Sequence, residues 1–202
     1  MLKALQLIFE PSTAWASIIQ AKRSIWQIAF LYLIPTILIV CALESWGLHS
    51  LGNLPSMTGF VERAAQPVEP ATIIRYQTVQ VILMVACVFL LSLLLRVLMR
   101  TLHCKATYTE VFTAVTYSFA PVFLMIAVNG LPAINPWLCT GIGAILAAKV
   151  LYVGLVRVIK PEPTSALGIY LTASFLIFAF VGLCQFVALQ VLENRLFRTI
   201  GS

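Results

Sequence analysis

A single lysine, Lys149, stands inside the apolar run "GAILAAKVLYVGL" (143–155). An ammonium group at the centre of a membrane-spanning helix costs about 2.5–3.5 kcal/mol on insertion scales, so such a residue is kept for a reason or escapes along its own stem. Two readings of Lys149 stay open. It can reach toward the nearer membrane surface, or it can lie inside a helix bundle with partners and meet an anion or a lipid headgroup. Two prolines offer partners. Pro121, in "YSFAPVF" (117–123), and Pro35 lack an N–H and free the carbonyl four residues back, those of Tyr117 and of Leu31 beside Tyr32. At about 1.5 Å per residue, both carbonyls fall roughly 8–11 Å in from the same membrane face, near the level of Lys149. Ser92, Thr172 and Ser174 reach similar depths. The expected arrangement is a polar layer of Lys149, Tyr117, Pro121, Tyr32, Pro35, Ser92, Thr172 and Ser174, covered by protein or lining a wet cavity, where irregular backbone is tolerated at membrane depth. The competing reading makes both prolines ordinary kinks, re-satisfied by local adjustment.

Other chemistry finds little material. The chain has no aspartate, and its two histidines, His49 and His103, flank different apolar segments on opposite sides. No H-E-x-x-H, G-x-S-x-G or glycine-rich phosphate loop occurs. Cys41, Cys87, Cys104, Cys139 and Cys184 are scattered singly, without the close spacing that metal sites and redox dithiols need. No catalytic, cofactor or metal site is expected. The net charge of +6 comes from residues that flank apolar segments, which fits anionic lipid and not nucleic acid.

The elements that must position these residues are spanning helices. With 61% hydrophobic residues, 10% charged residues and a mean hydropathy of +0.99, the chain cannot supply the charged shell of a soluble domain. Five segments are long and apolar enough to cross a bilayer, at about 26–46, 76–98, 110–129, 136–156 and 167–191. Trp26, Trp46, Tyr76, Tyr108 and Trp137 fall at their ends, where amphipathic rings favour the headgroup region. The expected fold is all-α: one membrane-integrated unit over 1–202, with five transmembrane helices behind an amphipathic interfacial lead-in at 1–25. In that lead-in Ala4–Phe9 is too short for a signal-peptide core. Leu2, Leu5, Ile8 and Phe9 recur at helical spacing, and Pro11 opens a second helix with Trp15, Ile18 and Ile19 on its apolar face. Eight basic residues flank the spans on one side (Lys3, Lys22, Arg23, Arg96, Arg100, Lys105, Arg157, Lys160) and four on the other (Arg63, Arg75, Arg195, Arg198). The positive-inside bias therefore puts the N-terminus in the cytoplasm and the C-terminus outside. The loop 47–75 carries a short helix around Thr58–Gln66. Two stripes of small residues on the fourth span, Cys139, Gly143, Ala147 and Thr140, Ala144, Ala148, are expected to pack within the bundle. Glu44 is placed to meet Arg75, and Glu110 to meet Arg96 or Arg100.

Three stretches, "FEPSTAW" (9–15), "TYTEVFTAVTYSFAPVFL" (107–124) and "LYVGLVRVIKPEPTSALGIYLTAS" (151–174), make the chain resemble the bacterial branch of the Yip-type integral membrane family, named for interaction with Ypt/Rab GTPases. The resemblance implies five spans, a cytoplasmic N-terminus, a bacterial inner-membrane location and a trafficking, membrane-organising or unassigned role. The acidic Asp-Leu-Tyr-Gly-Pro-like motif of eukaryotic members is absent, as it must be without aspartate, so Rab-type GTPase binding is not expected. The expected function is non-catalytic, acting on the lipid bilayer and on another membrane protein or a second copy of the chain. The alternative is a small transporter or channel-like protein using the Lys149 layer, with a membrane enzyme ranked last.

Overall fold

The computed structural model describes residues 11–21, 23–51, 68–101, 104, 106–131, 134–159 and 163–192. The described residues are predominantly helical, with no strand among them. A short helix α1 (Pro11–Gln20) precedes α2 (Ile25–Leu51), α3 (Pro70–Thr101), the pair α4 (Tyr108–Ser118) and α5 (Ala120–Val128), α6 (Pro136–Gly154) and α7 (Pro163–Leu192). Among the described residues five helices are long and apolar enough to cross a membrane, with α4 and α5 together forming the third. The segments 2–9 and 58–66, expected to be helical, lie outside the described residues.

The helix starts follow from local sequence. Ser24 and Gln27 form a reciprocal capping box at α2, and Thr107 and Glu110 form another at α4. Asn135 caps α6 by accepting from the Trp137 N–H at 2.9 Å, with Pro136 in the first turn, where its missing N–H is not needed.

Helix α3 packs along α7, α6 packs against α5 and α7, and α2 packs against α3 and α5. The third span is the most enclosed, with 72% of its apolar window buried against 33% to 56% for the other four. The outer surface is the reverse of a soluble protein's: Ile82, Leu171, Phe175 and Leu183 are all exposed, as lipid-facing side chains are. The small stripes of α6 face inward except at Thr140, which is half-buried. Cys139, Gly143, Ala144, Ala147 and Ala148 are buried, and a Cβ on Gly143 would stand 3.1 Å from the Val122 Cα.

The two prolines are accommodated in different ways. Before Pro35 the helix widens into a π-turn over Ala29–Leu33, so that the Ile34 N–H reaches Ala29 O, five residues back. At Pro121 the helix breaks. Phe119, at φ −76° and ψ −5°, ends α4, and α5 restarts at Ala120 with the proline in its first turn. A break in the middle of a span is tolerable here because it lies in the most enclosed helix, where protein and not lipid surrounds the backbone.

Candidate functional site

Helix α1 keeps its expected apolar face, and that face is turned onto the bundle. Trp15 has no exposed surface and Ile18 is buried, while Ile19 is exposed. The Trp15 indole lies against Gly154 on α6, where a Cβ would come within 2.5 Å of the ring. Only a glycine leaves this slot open. The edge of Trp15 meets the Tyr117 ring with centroids 6.3 Å apart and planes at 77°, and Tyr117 packs on Tyr32 at 4.4 Å and 33°. The rings thus converge from α1, the π-turn of α2 and the last turn of α4 before the Pro121 break. Trp15, Tyr117 and Gly154 come from the three stretches that carry the family resemblance, so those stretches meet in one place.

Beside this cluster opens a cavity of about 320 Å³, lined by Arg23, Thr107, Glu110, Tyr117, Ile18 and Val158 among others. The Arg23 side chain sits beside the Tyr117 hydroxyl. Glu110 accepts from the Thr107 N–H and the Thr107 hydroxyl, both at 2.8 Å on its Oε2, so that oxygen is committed to the start of α4. Arg96, expected near Glu110, lies over the Tyr108 ring at 5.7 Å.

The residues of the expected layer around Lys149 take separate places in the structure. Tyr32 and Tyr117 are brought together next to the Pro121 break, but Lys149 is not among them. Its side chain is exposed on the outward face of α6, in line with Ile142, Ile145 and Tyr152, which are exposed as well. The residues buried from α6 are the small ones, and the lysine lies on the other side of the helix. None of the hydroxyls of the expected layer has Lys149 as a hydrogen-bond partner. Ser92 donates to Val88 O at 2.6 Å and the exposed Thr172 to Gly168 O at 2.9 Å, both within their own helices. The Ser174 hydroxyl is buried without a partner, and Pro35 is half-buried.

Sequence reasoning missed a second polar cluster at the opposite end of the bundle. Glu44 on α2 is 1% exposed. It accepts from the Tyr76 hydroxyl at 2.8 Å and from the Gln77 amide at 3.2 Å, both on α3. Tyr76, expected in the headgroup belt, is therefore a buried partner. Gln80 and Asn129 also stand around the carboxylate. Gly47 and Gly130 permit the close approach of α2 to the end of α5, since a Cβ on Gly47 would meet Gly130 backbone oxygen at 2.4 Å. The signal available in the sequence was the glutamate itself, inside an apolar segment. The structure also sets the buried thiols of Cys87 on α3 and Cys184 on α7 side by side, which single scattered cysteines did not foretell. Among the described residues no group of three or more His, Cys, Asp or Glu side chains is arranged to hold a metal ion.

These features define a multi-pass α-helical membrane protein with a broken central helix and a docked N-terminal helix. The chain belongs to the Yip1 domain family, whose pattern matches residues 5–195. No curated protein and no solved structure matched it.

Proposed function

We propose that this Yip1-family protein is non-catalytic and works by binding or organising other membrane components, and that it does so through the mouth beside α1. The observation that carries this reading is the make-up of the cavity. Arg23, Thr107, Thr109 and Glu110 give it a polar wall, and Ile18, Ile28 and Val158 an apolar one. It opens where α1, the start of α4 and the end of α6 come together, the level at which spans meet headgroups. A surface of that kind suits a ligand that is polar at one end and apolar at the other, a lipid or the end of a partner's helix. The basic flanks support a bacterial inner-membrane protein with the N-terminus inside and the C-terminus outside, so that the mouth faces the cytoplasm. The exposed position of Lys149 on α6 favours this reading over a transporter built around that residue.

One labelling experiment tests both parts. Thr109 is replaced by cysteine in a chain whose five native cysteines are changed to serine or alanine, and a photoactivatable thiol probe is attached in cells. A membrane-impermeant probe should reach Cys at this position only after the inner membrane is opened. Illumination should then give a defined lipid or protein adduct that Trp15→Ala abolishes by freeing α1. Labelling in intact cells would reverse the orientation. Adducts no more frequent than those from a probe at the lipid-facing Leu183 would remove the mouth from the function.

A further inference from the structure

The Glu44 cluster is built differently from an ordinary buried hydrogen bond. A carboxylate this enclosed, at membrane depth, needs its charge neutralised, because low-dielectric surroundings disfavour an isolated ion. The side chains that face it, Tyr76, Gln77, Gln80 and Asn129, are all neutral. Around it, three amide side chains are left incomplete. Gln80 is 1% exposed and Asn129 8% exposed; both stand beside the carboxylate, and their side-chain oxygens, Gln80 Oε1 and Asn129 Oδ1, are buried without a hydrogen bond. The Gln77 Oε1 atom is also buried and unpartnered. Native interiors rarely leave so many polar atoms unfilled in one place, and such a concentration points to an occupant.

We infer that the cluster is a binding site for a monovalent alkali cation, held by the Glu44 carboxylate with the side-chain oxygens of Gln80, Asn129 and Gln77. The donor set is all oxygen, which hard cations prefer over nitrogen or sulfur. The charge count selects monovalent over divalent ions, since one carboxylate among neutral amides cancels one positive charge and would leave a second exposed to the membrane interior. The parts come from three helices, α2, α3 and the end of α5, so an ion bound there ties together segments that contribute to the bundle separately.

The test uses the full chain purified in detergent micelles. Its unfolding midpoint is followed by intrinsic fluorescence in NaCl, KCl or choline chloride at equal ionic strength and fixed pH. Choline is too large for a site made of side-chain oxygens and serves as the reference. At a hundredfold excess over Kd, Na⁺ or K⁺ should raise the midpoint by roughly 5 °C over choline, in a saturating manner. Radioactive Na⁺ should bind at one ion per chain if sodium is the preferred ion. Glu44→Gln, which keeps the shape and loses the charge, should abolish the response. Asn129→Leu, which keeps the carboxylate, should weaken the apparent affinity about tenfold, a loss equivalent to about 1.4 kcal/mol. Three results would overturn the inference: equal midpoints in all three salts, a cation response that survives Glu44→Gln, or a midpoint that follows pH and ignores the cation, which would make a proton the only occupant.

Discussion

Two glutamates in this protein do opposite things with the same group. Glu110 is half-buried and takes both of its hydrogen bonds from Thr107, three residues earlier, closing the first turn of its own helix. Glu44 is buried and takes its bonds from Tyr76 and Gln77, 32 and 33 positions away on another helix. The first carboxylate is satisfied by the turn that contains it and would be satisfied in almost any tertiary setting. The second is satisfied only when α2 and α3 are in register, and even then the amides around it stay incomplete. Glu110 finishes its own helix, whereas Glu44 and its distant partners hold helices together and leave room for an occupant.

The contrast is broken most forcefully by Glu44→Ala. Removing the carboxylate leaves the Tyr76 hydroxyl and the Gln77 amide buried without an acceptor, at about 1–3 kcal/mol for each group. A loss of about 3 kcal/mol is expected in denaturant or thermal unfolding of the purified protein. A loss below about 1 kcal/mol would put Glu44 on a level with a surface cap and end the distinction.

Gly47→Ala approaches the same cluster from the backbone. The new methyl group would collide with Gly130 at the end of α5, and no flexible side chain is there to yield. Overpacking of this sort costs about 2 kcal/mol. Because Asn129 adjoins Gly130, the substitution should also blunt the cation response of the midpoint while leaving every polar atom of the cluster in place. A variant that loses stability but keeps the full response would show that helix spacing and the cluster are independent.

What could be read in the sequence follows the same division between local and distant. The five spans were legible because length and hydropathy are properties of a continuous segment; α3 runs from Pro70 and not from about 76 because its polar first turns are helical too. Thr107-x-x-Glu110 and Ser24-x-x-Gln27 were in plain view as capping signatures, although Glu110 was read as an ion-pair partner instead. Pro121 was recognisable as an anomaly, but whether a proline yields a π-turn or a break depends on the packing around it, and the two spans resolved it differently. Lys149 shows the limit most clearly. Its depth could be counted along the helix, yet its direction is a matter of rotation about the axis, and the small residues of α6 already marked the inward face at Gly143, Ala144, Ala147 and Ala148. The lysine falls off that stripe. Glu44 was read beside Arg75 because pairing opposite charges is the only rule available before the helices are placed; its real partners are neutral side chains whose meeting depends on the register of α2 against α3.

The smallest expected effect is the sharpest check on the comparison. Glu110→Ala deletes one half of a capping box at an exposed helix start, which is worth about 1 kcal/mol, while Glu110→Gln should sit close to the parent because glutamine fills the same role at Gln27 in α2. Unfolding midpoints of the two variants, measured beside Glu44→Ala and Glu44→Gln, separate shape from charge at each end. At Glu110 the amide should replace the carboxylate with little loss. At Glu44 the amide keeps an acceptor for Tyr76 but cannot neutralise a cation, so any stability that depends on salt identity should vanish there and nowhere else. If Glu110→Gln were as damaging as Glu110→Ala, the charge of Glu110 would be needed for more than its helix, and the cavity it shares with Arg23 would be the place to look for the reason.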